Sequence, residues 1–200
     1  MAAFIIGNGP SRANINLEAL RPYGEIWGCN ALYRDFIPNY LVAVDKPMQD
    51  EIVKAEAHLH SKCIFRQTSK GRYPYSVYPT IHTFQSRKGI PNNSGLFAVY
   101  FALKQGSRDI YLIGFDFQNP TNQTVENVYK GTKNYTSNPR YRGQVEHTFA
   151  SWFTLNSKEV NFYRVMDPKL SYKSTEGGLN EPHTINLTME QFGEQYNSVS

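Results

Sequence analysis

Four short polar side chains stand where apolar runs end. Asn8 follows Ala2–Ile6, Asn30 follows Glu25–Cys29, Asp45 follows Tyr40–Val44, and Asp116 closes the segment after Asp109–Ile113. If the runs are strands of a parallel sheet, these residues gather at its carboxyl edge, where open α/β sheets bind ligands. Asn and Asp also favour turns, so each alone reads first as a turn former, and it is the four together that raise a ligand site. The loop Gly7-Asn8-Gly9-Pro10-Ser11 adds a second feature. Two glycines let backbone approach a phosphate, and a helix start after them, with Ser11 as its N-cap, would offer free N–H groups. No further glycine follows and no Gly-Lys-Ser/Thr appears, so the loop is neither a dinucleotide fingerprint nor a P-loop.

The elements around these residues alternate. Strands are expected at Ala2–Ile6, Glu25–Cys29, Tyr40–Val44, Ser61–Phe65, Asp109–Ile113 and Val160–Val165, with a short one at Thr80–Phe84. Helices are expected over Met48–His60, Ser94–Gln105 and Gln144–Ser157. Ser94–Gln105 is apolar almost all round, which predicts a central position, and Gly106 stops it. This alternation predicts an α/β domain, a mainly parallel sheet flanked by helices. Its extent is read as 1–167, followed by a polar tail over 168–200 from which Thr188–Phe192 stands apart. At 200 residues one domain is expected.

Bulk properties narrow the function class. Lys and Arg number 21 against 17 Asp and Glu, a formal charge of +4 that suits a phosphate-bearing ligand without marking a nucleic-acid binder. Cys29 and Cys63 form no CxxC pair, which suits a reducing, cytoplasmic setting. No apolar run is long enough to span a membrane. Neither an Asp-x-Asp pair nor a His/Cys cluster of zinc spacing occurs, so no metal or other cofactor is expected.

Ile5-Ile6-Gly7-Asn8-Gly9-Pro10-Ser11 resembles the N-terminal signature of bacterial lipooligosaccharide sialyltransferases and the related motility-associated glycosyltransferases. Gly28-Cys29-Asn30, Asn93-Ser94-Gly95 and the run from Asp109 to Phe117 resemble three further segments of that family, in its order. The resemblance spans roughly residues 4–165. It implies a GT-A-like, Rossmann-type domain that uses CMP-sialic acid without metal. Asn8 and Gly9 would then lie at the donor phosphate and sugar, with Ser11 expected to bind there as part of the same loop. Asn30 would contact the nucleotide, Ser94 and Gly95 the phosphate or sugar carboxylate, and Asp116 would sit beneath the nucleotide.

Two positions depart from the family. Asp45 stands where it has Asn, and Gln118 where it has the first of two tyrosines that stabilise the leaving phosphate. Tyr129, Tyr135 and Tyr141 lie in the corresponding loop without matching spacing, and Lys130, Lys133, Arg140 and Arg142 lie there too. The family's general base is a His before the last core strand, which points to His147, with Gln144 as the other alignment. A packed or surface role for His147 is the competing reading, whereas His58, His60, His82 and His183 read as structural or solvated.

The expected function is a metal-independent glycosyltransferase that takes a nucleotide-sugar donor and a hydroxyl-bearing acceptor. Two alternatives stay open. One is a nucleotide-binding module without catalysis. The other is a transferase or binder acting on nucleic acid, suggested by Arg66, Lys70, Arg72, Arg87 and Lys88 among tyrosines.

Overall fold

A computed structural model describes residues 1–67, 73–74, 76–86, 92–116, 126–136, 149, 151–152, 158–166 and 184–198. Eight strands form one parallel sheet: β1 (Ala2–Ile6), β2 (Gly24–Cys29), β3 (Tyr40–Ala43), β4 (Lys62–Arg66), β5 (Ile81–Phe84), β6 (Asp109–Ile113), β7 (Asn161–Met166) and β8 (Ile185–Thr188). Their order is β5-β4-β3-β2-β1-β6-β7-β8. The chain therefore runs outward from β1 to β5, then returns to the other side of β1 with β6. That reversal creates a switch point at the carboxyl ends of β1 and β6, the position that favours ligands in such sheets.

Alternation along the strands builds two cores. Phe4 and Ile6 of β1 face one layer, with Leu17, Leu20, Leu32, and Met48 and Ile52 of helix α1 (Lys46–Lys54). Ala3 and Ile5 face the other, with Leu96, Phe97 and Val99 of helix α2 (Ser94–Lys104) and with Phe149. Right-handed crossovers put helices on opposite faces when the chain reverses direction across the sheet. That rule accounts for α1 and α2 lying on opposite sides. Both faces of the sheet are covered, hence its near-continuous apolar strands.

Several boundaries differ from the sequence reading. The expected helix over Met48–His60 divides: α1 ends at Lys54, Glu56 takes a left-handed φ of 56°, and Ala57–Leu59 forms a separate 3-10 turn. Ser11 is not an N-cap. Gly9 holds that position before a 3-10 turn over Pro10–Arg12, and Ser11 lies inside the turn. Within the expected polar tail, β8 pairs in register with β7, Tyr163 against Ile185. Helix α3 (Met189–Tyr196) follows it, started by a capping box between Thr188 and Gln191. Phe192 of α3 is fully buried, packing with Phe4, Tyr111 and Tyr196. One aromatic face of an otherwise polar segment thus anchors it to the core.

Candidate functional site

The loop after β1 is stitched to the end of β6. Gly7 N–H donates to the Ile113 carbonyl at 2.8 Å and Gly9 N–H to the Gly114 carbonyl at 2.9 Å. Ser11 N–H donates to Asp116 Oδ2 at 2.9 Å. Three backbone donors of the Gly-rich loop are thus satisfied by protein. A Cβ on Gly7 would lie 2.5 Å from the Gly114 carbonyl oxygen, and one on Gly9 would lie 2.7 Å from the same atom. Close approach of two strand ends, rather than of a ligand, is what these glycines permit here. Asp116 anchors the loop through Ser11.

A second group lies over β2 and β3. Asn30, with a left-handed φ of 54°, accepts the Ser94 hydroxyl on Oδ1 at 2.8 Å. Ser94 Oγ in turn accepts the Val44 N–H at 3.2 Å. Asn93 caps α2 by accepting the Leu96 N–H at 3.1 Å. Ser94 therefore ties the ends of β2 and β3 to the start of α2 with both capacities of its hydroxyl. Asn30 Nδ2 keeps no partner among the described residues. Beside it, Gly95 leaves room for Phe115, whose Cε1 would lie 2.5 Å from an added Cβ.

Residues 126–136 close over these ends. Val128 N–H donates to the Asn8 carbonyl at 2.9 Å, and Asn8 Nδ2 donates to the Tyr135 hydroxyl at 3.2 Å. Asn8 Oδ1 is buried without a partner among the described residues, a state that costs about 1–3 kcal/mol unless something satisfies it. Burial pushes the Tyr135 hydroxyl up to about 12, against hydrogen bonds from Asn8 and the Ala31 backbone that oppose the shift. No acceptor for the Tyr135 proton occurs among the described residues.

Charged residues that the sequence reading did not single out hold this segment down. Buried Arg12 donates to Asp35 Oδ2 at 3.0 Å and to the Tyr129 hydroxyl at 2.7 Å, while Tyr129 donates to Asp35. Arg34 pairs with Glu51 of α1 and donates to Thr132 Oγ1 at 2.6 Å and the Lys133 carbonyl at 2.8 Å. Glu51 also accepts from Tyr33 at 2.6 Å and from Asn134 at 2.6 Å. Burial alone would raise the Glu51 carboxyl, but bonds from Tyr33, Arg34 and Asn134 and the Arg34 charge hold it below its ordinary value. The sequence offered only one hint of this clamp, the adjacent charges Arg34 and Asp35 shortly after β2.

Four of the expected site residues therefore fall in two hydrogen-bonded pairs, Asn8 with Tyr135 and Asn30 with Ser94, at the carboxyl ends of the adjacent strands β1 and β2. Gly9, Ser11 and Asp116 form a separate stitch. Tyr129 is committed to Arg12 and Asp35. Asp45 is exposed at the head of α1, its carbonyl accepting from Met48 and Gln49 and its carboxylate making no cap. Gln118, Tyr141, Gln144 and His147 lie outside the described residues, as do Lys70, Arg72, Arg87 and Lys88. Burial pushes the thiols of Cys29 and Cys63 up to about 12, so neither is a reactive thiolate. No three His, Cys, Asp or Glu residues gather as metal ligands among the described residues. No helix there is long and apolar enough to cross a membrane.

No protein-family model and no curated protein matches the sequence. Among solved structures, a variant of the sialyltransferase CST-II in complex with CMP matches with TM-score 0.56 and 13% identity over 100% of both chains. CstII from Campylobacter jejuni with the substrate analogue CMP-3FNeuAc matches with TM-score 0.49 and 14% identity, over 86% of this chain and 81% of that one. At such identity the likeness is one of fold: this chain shares its parallel, helix-flanked α/β architecture with a sialyltransferase.

Proposed function

We propose that the protein is a glycosyltransferase that binds a nucleotide-activated sugar at the carboxyl edge of β1–β3 and transfers the sugar to a hydroxyl-bearing acceptor. One observation carries the reading. Asn8 Oδ1, Asn30 Nδ2 and the Tyr135 proton, each uncommitted among the described residues, belong to the carboxyl ends of the paired strands β1 and β2 and to the loop bonded to Asn8, beside the switch point of the sheet. An acceptor and two donors along one sheet edge suit a nucleotide, whose base and phosphate offer both complements. The shared fold of a CMP-binding sialyltransferase supports the same reading and makes cytidine nucleotides the first ligands to test.

In the proposed reaction an acceptor oxygen attacks the anomeric carbon as the bond to the leaving phosphate oxygen breaks. Tyr135 donates a hydrogen bond to that phosphate as negative charge develops on it, a stabilisation that needs no metal. The acceptor proton passes to a base, a role for which the sequence offers His147. Thermal unfolding and calorimetric titration with CMP, CMP-sialic acid and UDP-glucose test the binding step. Ligand at 100 times its Kd raises stability by about 2.7 kcal/mol. Absence of any shift at millimolar ligand overturns the reading. Transfer assays with EDTA test the metal-free step, which fails if EDTA abolishes activity and Mg or Mn restores it.

A further inference from the structure

Among the described residues, Arg12, Arg34 and Arg66 lie near the carboxyl ends of β1 to β4, and they differ in what balances them. Arg12 meets Asp35, and Arg34 meets Glu51. Arg66, the last residue of β4, meets no carboxylate among the described residues. Its backbone carbonyl accepts Gln49 Nε2 at 2.9 Å, and its Nε donates to the Val44 carbonyl at 3.0 Å. Main chain and side-chain stem are both pinned, while neither Nη atom has a described partner. Alternation along β4 puts Cys63 and Phe65 in the α1-side core and Ile64 in the α2-side core, so Arg66 shares the α2 side. Val44, its anchor, is also the residue whose N–H meets Ser94 at the start of α2.

A half-buried guanidinium held by one neutral carbonyl is a fork with two open prongs, the geometry that takes a carboxylate or phosphate in bidentate fashion. The eleven-residue helix α2 points its N-terminus at the same stretch of backbone and adds partial positive charge there. Through Ser94, Val44 stands one hydrogen bond from the residue that bonds Asn30. We propose that Arg66 is the anion-recognising residue of this site, binding an anionic oxygen group of the donor, either its phosphate or a carboxylate on its sugar. The proposal rests on the nucleotide-sugar reading above.

Calorimetric titration of wild type, Arg66→Gln and Arg66→Lys with CMP, CMP-sialic acid and inorganic pyrophosphate tests it, below the melting temperature of each variant. Arg66→Gln weakens the recognised ligand at least tenfold, and Arg66→Lys falls between it and wild type. Loss for both CMP and CMP-sialic acid assigns Arg66 to the phosphate; loss for CMP-sialic acid alone assigns it to the sugar carboxylate. Wild-type affinity for both in a folded Arg66→Gln protein overturns the proposal and leaves the nucleotide reading standing. Pyrophosphate binding that depends on Arg66, with no nucleotide bound by wild type, keeps the anion site and overturns the nucleotide reading. Wild type that binds none of the three overturns both.

Discussion

The hydroxyl of Tyr135 accepts a hydrogen bond from the amide of Asn8 at 3.2 Å, across 127 residues of sequence. The contact joins the end of the first strand to a loop that follows the sixth. It also separates two tyrosines that look alike in the sequence, since Tyr129 spends its hydroxyl on Arg12 and Asp35.

Tyr135→Phe is expected to lower sugar transfer at least tenfold, because removing one donor at a developing oxyanion costs about 10²–10³-fold in rate. Its hydroxyl, pushed up to about 12 by burial, keeps its proton from pH 6 to 9. The pH–rate profile should therefore show no ionisation of this phenol in that window. Unchanged turnover in Tyr135→Phe would remove the residue from the mechanism.

Tyr129→Phe should behave in the opposite way. It strips a hydrogen bond from a buried guanidinium and a carboxylate, interactions worth about 1.5–3 kcal/mol. Denaturant unfolding should show that loss, with nucleotide affinity of the folded protein within about threefold of wild type.

Gly9→Ala places a methyl group against the Gly114 carbonyl and the Asp116 carboxylate. Overpacking of this kind costs about 1–3 kcal/mol. The melting temperature should fall, and affinity should follow only as far as the loop shifts. A Gly9→Ala protein of wild-type melting temperature with weakened ligand binding would instead restore the phosphate-cradle role expected from the sequence.

The Glu51 clamp carries an acid dependence. Its carboxyl is held below the ordinary 4.5, so the unfolded chain takes up its proton first as pH falls. The clamp's contribution is fully present above about pH 5 and fades as pH drops through the depressed folded value. Glu51→Gln should therefore melt below wild type at pH 7, with the gap closing under pH 4. Hydrogen exchange should quicken over 126–136 in the same variant. A pH-independent gap would deny the ionised carboxylate this role.

Phe192→Ala should cost about 3–5 kcal/mol, as large-to-small changes of buried aromatics do. Chemical denaturation reads the loss directly. A cost under about 1 kcal/mol would mean that α3 is an accessory to the sheet and not part of its core.

Much of the fold could be read from local pattern. Apolar runs of strand length ending in Asn, Asp or Gly marked β1, β2, β3 and β6, and the apolar-all-round stretch from Ser94 marked the central helix, because burial on both faces leaves that signature in sequence. Asn8, Asn30 and Ser94 were visible for the same reason, each standing where an element begins or ends. Partnership was not visible. That Gly9 serves Gly114, that among the described residues Tyr135 and not Tyr129 keeps its proton uncommitted, and that Arg34 is balanced there by Glu51 while Arg66 meets no carboxylate, all depend on how residues far apart in sequence pair. Arg34 meets Glu51 across 17 residues and Asn8 meets Tyr135 across 127. Local propensity carries no term for such contacts; they arise only when the parallel order of strands brings distant ends to one edge.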